Sequence, residues 1–417
     1  VQRRRSSPFA FLPIRKPNAY IVIIMILSSK PSASCPACNN CSLDIFYQAK
    51  KVPVHSVLLM QTREEALSYP KGDIELGFCN TCGFITNLAF DPTLHEYSSR
   101  YEATQGYSET FNAFHRQLAE RLIVKHDLQD KDIIEIGCDK GDFLTMLCEM
   151  GNNRGVGVDP AYVPGRVASN AEVRFIKDVY SERYEYLKGD FIVCKMTLEH
   201  IRPVFEFVSM VRRSIGQKKN ALVFFQIPNA EYVFRDIAFW DIYYEHCSYF
   251  TKQSLTRLFS TAGFTVLDVA TEYNEQYLTI EARPGSGIPR SEANDVEATR
   301  RLICRFGQEY PKRIAAWREL VERIRRDRTR AVIWGAGSKG VAFLTALNVT
   351  TDVMPYAVDI NPNKRGTFMA GTGQEIVTPD FLPDYRPDLV IAMNPIYTEE
   401  IQCDLTRRGV GARLVTM

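Results

Sequence analysis

Ile133-Ile134-Glu135-Ile136-Gly137-Cys138-Asp139-Lys140-Gly141-Asp142-Phe143 is an apolar run that breaks at glycine and passes into helical residues. The run has the length and composition of a buried strand, and the glycines let the backbone approach a ligand closely. A second run, Gly155-Val156-Gly157-Val158, ends on Asp159, a carboxylate placed to accept both hydroxyls of a ribose. Strand, glycine turn, helix, strand and terminal acid together predict a parallel unit that holds a nucleoside-bearing cofactor.

Working outward, further buried-strand runs at 191–195 and 222–227 alternate with helical stretches. That alternation predicts an α/β, doubly wound, Rossmann-like core with helices on both faces. Runs at 264–270 and 276–282 have no helix between them, so an antiparallel hairpin is expected to close the sheet. The Pro/Gly/Ser stretch 284–289 reads as a linker. Beyond it, residues 292–328 carry Leu302, Phe306, Ile314, Trp317, Val321 and Ile324 at spacings that suit one helical face. Runs at 331–334, 353–358 and 389–393 then predict a second, smaller C-terminal α/β unit, also Rossmann-like. The expected division is a leader without assigned order (1–33), a cysteine-marked module (34–90), the core domain (91–285) and a C-terminal domain (286–417).

Composition bounds the function. The chain has 417 residues, 45% hydrophobic and 24% charged, which suits two or three globular domains and excludes disordered, collagenous and multi-span membrane classes. Lys and Arg number 51 against 49 Asp and Glu, a formal charge of +2, so nothing global draws the chain to nucleic acid or an anionic membrane. Any anion site must be local. Arg3 to Arg5 and Arg15-Lys16 precede an apolar run at 21–27, the order of an export signal but too short to span a bilayer. Val1 opens the chain and Met25 lies just before the first domain, so an extended start in a cytoplasmic protein is the preferred expectation.

Two Cys-x-x-Cys knuckles, Cys35/Cys38 and Cys79/Cys82, stand beside turn residues Asn39, Asn40 and Gly83. Two thiolate pairs at this spacing complete a tetrahedral site, and Zn²⁺ suits four sulfur ligands. Four thiolates leave no open position, so such a zinc would be structural. Cys38-x-x-Cys41 is an equally spaced alternative. The module is small for an ample core of its own unless metal helps.

The Glu135-x-Gly137-x-x-x-Gly141 pattern resembles the cofactor loop of class I methyltransferases, which bind S-adenosylmethionine. That resemblance implies that Glu135 meets the loop or the cofactor's ammonium end, with Gly137, Asp139, Gly141 and Asp159 around the nucleoside. Asp139 stands where that family commonly has a middle glycine. Asp178, after the third strand, is placed either to receive the adenine amino group or to be a solvated loop carboxylate.

Trp240-Asp241-Ile242-Tyr243-Tyr244-Glu245-His246-Cys247-Ser248-Tyr249-Phe250 packs an imidazole, carboxylates and phenols into one segment. On a helix, Tyr243 and His246 would share a face at i, i+3. A base and a hydrogen-bond donor could then reach one substrate, or the segment could be an aromatic core edge. The cysteine pairs, the Glu135-to-Asp159 region, this Tyr-x-Glu-His segment and a C-terminal Gly335-x-Gly337-x-Lys339-Gly340 followed by Asp359-x-Asn361-Pro362-x-Lys364-x-Gly366 together resemble the sugar C-methyltransferases of deoxysugar biosynthesis. The resemblance implies methylation of a nucleotide-linked 4-keto-6-deoxysugar beside its ketone. It implies His246 as the base, Tyr243 at the ketone oxygen, Glu245 as an orienting or relay group and His200 lining the cleft. A substrate-facing tyrosine is implied among Tyr97, Tyr101 and Tyr107, and Tyr101 is the assigned candidate.

A second glycine loop, Gly335-Ala336-Gly337-Ser338-Lys339-Gly340, follows a strand and precedes Asp359-Ile360-Asn361-Pro362-Asn363-Lys364. Read alone it predicts a dinucleotide such as NAD; Lys339 within it, the shortness of the unit and the Asp359-to-Lys364 stretch argue against that, and such a loop can seat any phosphate. The resemblance implies diphosphate or general substrate contacts through Gly335, Gly337, Lys339, Gly340, Asp359 and Lys364; the alternative is a Rossmann-like unit that only packs. Three readings follow: an S-adenosylmethionine-dependent C-methyltransferase of a small-molecule nucleotide sugar, a nicotinamide-dependent sugar oxidoreductase, and a non-catalytic zinc-bearing adaptor.

Overall fold

The computed structural model describes residues 28–29, 34–95, 97–287 and 293–417. Its strands in chain order are β1 (Ser28–Ser29), β2 (Leu43–Pro53), β3 (Lys71–Cys79), β4 (Ile85–Asn87), β5 (Asp132–Ile136), β6 (Arg154–Val158), β7 (Val173–Ile176), β8 (Phe191–Lys195) and β9 (Leu222–Pro228). They continue with β10 (Ser248–Tyr249), β11 (Phe264–Glu272), β12 (Tyr277–Pro284), β13 (Ala331–Trp334), β14 (Tyr356–Val358), β15 (Glu375–Val377), β16 (Leu389–Ala392) and β17 (Arg413–Thr416). The basic residues and apolar run of the leader lie outside the described residues. Within that leader β1 pairs antiparallel with β2, Ser28 opposite Ile45, so residues 28–29 do have assigned structure.

The central sheet runs β11-β12-β9-β8-β5-β6-β7. Strands β5 to β9 are parallel, and β12 joins β9 antiparallel as half of the hairpin with β11. The order reverses between β5 and β8, so the carboxyl ends of these strands flank a crevice where an α/β sheet receives its ligand. Strands β5, β8 and β9 are buried along nearly their whole length. This is why they read as continuous apolar runs rather than alternating ones. The fold is the doubly wound, Rossmann-like core expected from the sequence.

The C-terminal sheet, β15-β14-β13-β16-β17, is parallel throughout. It has five strands where the apolar runs indicate three. The two unforeseen ones, β15 and β17, are three- and four-residue edge strands. The strand expected at 353–358 covers only its second half, because Val353 and Met354 close a turn on Thr350.

The N-terminal sheet, β1-β2-β3-β4-β10, takes its last strand from the segment that carries His246. The module was expected to lack an ample core; it shares one instead. Phe46 packs on Phe234 at 5.4 Å between ring centroids, and Tyr47 on Tyr310 at 5.5 Å, within a cluster that extends through helix Ala293–Asp327 into the C-terminal unit. Within residues 57–60, Leu58 and Met60 form isolated bridges, to Tyr101 and Phe368. No helix among the described residues is long and apolar enough to cross a membrane.

Candidate active site

The first glycine turn closes through Gly137 N–H, which donates to the Val158 carbonyl at 2.9 Å. Gly137 has φ +71, and a Cβ there would lie 2.0 Å from Thr197 Oγ1 beyond β8. Asp139 takes φ +46, so the turn keeps its left-handed position although the glycine is missing. Asp tolerates that region better than most side chains. The Asp139 N–H donates to Asp159 Oδ2 at 2.8 Å and the Ala161 N–H to Oδ1 at 2.6 Å. Asp159 is thus aimed at the turn, with burial raising its pKa.

Glu135 is 2% exposed and its Oε2 has no partner. Burial raises its pKa to about 7, against the charge of Lys195. Lys195, brought down to about 8 by burial, sits 2.7 Å from His115 Nε2 and 3.9 Å from the Phe143 ring centroid. Lys140 donates to the carbonyls of Tyr101 and Ala161, tying the turn to the segment before it. Asp178 is turned elsewhere: its carboxylate binds Tyr184 Oη at 2.5 Å and Arg183, and is about a third exposed. This is the solvated alternative of the two sequence expectations.

The segment 242–247 is a turn, not the helix considered from sequence. The His246 N–H donates to the Tyr243 carbonyl at 3.2 Å, and that turn brings the two side chains together as a helix would have done. Tyr243 Oη lies 2.8 Å from His246 Nε2. The His200 ring is 5.0 Å from His246, with its Nδ1 held by the Glu245 carbonyl at 3.0 Å. Glu245 points away from His246: its carboxylate accepts from Ser56 N–H at 3.0 Å and Ser56 Oγ, and pairs with His55 Nδ1 at 3.1 Å. Burial opposes its charge, but these partners outweigh burial and hold it below the usual carboxylate range.

His95 and Glu199, missed from sequence, complete the cluster together with Tyr97 and Tyr101. His95 stacks on His55 at 4.6 Å, and Tyr97 stands edge-on to His200 at 6.0 Å with a buried, unpartnered hydroxyl. Tyr101 packs 5.3 Å from Tyr97, whereas Tyr107 is exposed and binds Asn363. Glu199 is 1% exposed, with both carboxyl oxygens unpartnered. Burial lowers His95 and His200 to about 4, and lowers His246 well below its ordinary value. The imidazoles are therefore neutral at physiological pH, the form that accepts a proton.

The second glycine turn touches this cluster through Ser338, whose hydroxyl is 2.7 Å from Ser56 Oγ. Lys339 is bound to Asp241 at 2.6 Å. Asp359 is held by Lys364 Nζ at 2.9 Å as well as by the Ala336 and Asn361 N–H groups. Gly335 has φ +116, and a Cβ at Gly340 would meet the Gly335 carbonyl at 2.5 Å. Lys339, Asp359 and Lys364 are thus each paired within the protein.

The cysteine knuckles converge. Cys35 and Cys82 Sγ are 3.6 Å apart, Cys38 and Cys79 Sγ 3.7 Å, and all four lie within 4.8 Å of one another. Sulfurs about 2.3 Å from a tetrahedral zinc stand about 3.8 Å apart, so the set fits such an ion. Asn39 at φ +60 and Gly83 at φ +74 make the two turns. Cys41 is exposed and outside the cluster, which removes the alternative pairing.

Residues 107–269 match the methyltransferase domain, and residues 288–417 match the C-methyltransferase C-terminal domain. Over 347 residues, 79% of this chain and 81% of the relative, the chain is 24% identical to C-methyltransferase NovU of Streptomyces niveus. The two matches give the chain a methyltransferase domain followed by a C-methyltransferase C-terminal domain, and the chain is an S-adenosylmethionine-dependent methyltransferase. Among solved structures, this methyltransferase aligns with a Burkholderia thailandensis 1,6-didemethyltoxoflavin N1-methyltransferase over 42% of this chain and 81% of that one, at 16% identity and TM-score 0.33. It aligns with magnesium protoporphyrin IX methyltransferase of Synechocystis PCC 6803 over 44% and 90%, at 13% identity and TM-score 0.33. The orphaned Glu135 oxygen and the Gly137 cradle fit S-adenosylmethionine, whose ammonium and ribose need an acid at each end of the turn.

Proposed function

We propose that this methyltransferase C-methylates a nucleotide-linked keto-deoxysugar at the carbon beside its ketone. The observation that carries the reading is the neutral His246 imidazole with Tyr243 Oη at 2.8 Å, in a buried cluster beside the crevice of a C-methyltransferase. When bound, S-adenosylmethionine supplies an electrophilic methyl group to the carbon that has lost its proton. His246 removes that proton, and the electron pair moves onto the ketone oxygen. Tyr243 then donates its hydrogen bond to the oxygen as charge develops there. His200 lines the cleft, with Tyr97 and Tyr101 packing the substrate side. Glu245 does not relay; it fixes His55, Ser56 and, through its carbonyl, His200. Glu135, Gly137, Asp139, Gly141 and Asp159 hold the methyl donor.

In this proposal the four-cysteine module (34–90) binds structural zinc, the core domain (91–285) binds the donor, and the C-terminal domain (286–417) encloses the nucleotide sugar near Ser338 and Lys339. The cosubstrates suit a cytoplasmic enzyme. The test is a mass gain of one methyl on a panel of nucleotide 4-ketosugars. His246→Ala should lower turnover at least ~100-fold, the usual scale for a general base, while calorimetry finds S-adenosylhomocysteine affinity unchanged. Normal turnover in that variant would reject His246 as the base. Metal analysis should find one zinc per chain, lost on Cys79→Ser.

A further inference from the structure

Glu199 stands in the short turn Leu198–His200 after β8, beside the same crevice as Gly137. Its Oε1 lies 4.0 Å from Nε2 of His200 and 4.0 Å from Nε2 of His246. Neither distance is a hydrogen bond, and both carboxyl oxygens are buried without a partner. A buried orphan of this kind is costly unless something else completes its hydrogen bonds. The nearby Tyr97 hydroxyl is a second buried orphan, electrostatically sensitive to Glu199. Unsatisfied groups on two separate segments therefore surround the candidate base.

We propose that Glu199 is a further catalytic residue: a neutral carboxylic acid that donates a hydrogen bond to the acceptor's carbonyl oxygen while His246 takes the proton from the adjacent carbon. The inference rests on the C-methylation reading above. The two glutamates of the site occupy opposite environments, and divergent environments are how one site keeps one carboxyl ionised and another protonated. Glu245 has His55 and Ser56. For Glu199 burial dominates and pushes its pKa up to about 8, so the acid is protonated at pH 7. The titratable groups around it are the imidazoles of His200 and His246, the phenols of Tyr97, Tyr243 and Tyr277, and the thiols of Cys194 and Cys247; none is a fixed cation.

In the step, the substrate C–H bond breaks and its proton goes to His246. The electron pair forms the enolate, and Glu199 keeps its own proton in a hydrogen bond to the enolate oxygen. When the enolate carbon takes the methyl group, the donor's sulfur–methyl bond breaks with its electron pair left on sulfur, giving S-adenosylhomocysteine; the ketone returns, and the imidazolium releases its proton to solvent as product leaves.

The test follows exchange of the substrate's α-proton for deuterium in D2O, with a nucleotide 4-ketosugar and S-adenosylhomocysteine, alongside kcat and KM for methyl transfer. Glu199→Leu should slow exchange and kcat roughly 100-fold, the cost of losing one donor at a developing oxyanion. KM and S-adenosylhomocysteine affinity should change little, which also shows that the variant is folded. The wild type should show a fall in kcat above about pH 8, and Glu199→Gln, which keeps an N–H donor, should retain more of the rate and lose that fall. Exchange at the wild-type rate in Glu199→Leu would overturn the role of Glu199 alone. Absence of exchange in the wild type across the panel would overturn the C-methylation reading with it. A cobalt(II) visible band that disappears in Glu199→Leu would also overturn the acid role, by making Glu199, His200 and His246 a metal centre.

Discussion

The two glycine turns of this molecule share one backbone frame and differ in what occupies it. In both, the first glycine donates its N–H to the residue before an acid: Gly137 to Val158 at 2.9 Å, Gly335 to Val358 at 2.8 Å. In both, that acid accepts one N–H from the turn and one from two residues further on, Asp159 from Asp139 and Ala161, Asp359 from Ala336 and Asn361. The difference lies in charge. The N-terminal turn places Glu135 where the C-terminal one has Ile333, and Asp159 hydrogen-bonds only backbone N–H groups there, the buried Lys140 of that turn pairing instead with Asp139 and two carbonyls. The C-terminal acid already has a buried cation, Lys364 at 2.9 Å, and the lysine of its turn is neutralised by Asp241. A glycine turn is thus a frame; the uncompensated polar groups around it mark the one prepared for a ligand.

The largest effect expected from this contrast is on stability. Lys364 and Asp359 side chains are only 8% and 11% exposed. Lys364→Met strands a buried carboxylate, and removing one partner of such a pair costs roughly 3–5 kcal/mol. Urea unfolding should show that loss, with part of it recovered in Lys364→Met/Asp359→Asn. A Lys364→Met protein as stable as the wild type would mean that Asp359 has another counter-charge, and the contrast would break.

Binding should show the next largest effect. Gly137→Ala forces a Cβ to within 2.0 Å of Thr197 Oγ1 at φ +71, so calorimetry should find S-adenosylhomocysteine affinity reduced ~100-fold, about 2.7 kcal/mol. Gly337→Ala is the control: its φ is −111 and nothing lies within 4 Å of its Cβ position, so affinity should not change. NAD should give no heat with either protein. Micromolar NAD binding that Lys364→Met strengthens would show the second turn to be a blocked nucleotide site and would revive the oxidoreductase reading.

What could be read in the sequence follows the same division between frame and occupant. Strands β5, β8 and β9 were legible because burial on both faces demands unbroken apolar residues, and the Gly137 turn because its φ demands glycine. Strands β15 and β17 were not, since edge strands of three and four residues carry no such demand. Tyr243 and His246 were legible because they stand three positions apart, and a turn and a helix both bring such neighbours together. His55 and Ser56 were not, because they meet Glu245 across 190 and 189 residues. Asp178 and Lys364 carried the right residue types, but their pairing with Tyr184 and Asp359 is a property of the folded chain. Glu199 gave no periodic signal; a buried acid without a partner becomes visible only once its surroundings are known.

Glu199 also gives the sharpest test of the rule that separates the two turns. Its folded pKa is raised from 4.5 to about 8 by burial. Between those values the folded protein binds more protons at this site than the unfolded chain does, so the site lowers stability progressively as pH rises, with no further loss above about pH 8. Glu199→Gln removes the titration. The variant should therefore nearly match the wild type near pH 5 and exceed it by up to a few kcal/mol at pH 8, about 1.4 kcal/mol for each pH unit by which burial raises the acid. Asp359→Asn should do the opposite at pH 8, because it deprives Lys364 of its partner. If the two substitutions shifted the urea midpoint in the same direction, a nearby cation would not be what distinguishes a structural acid from a functional one in this molecule.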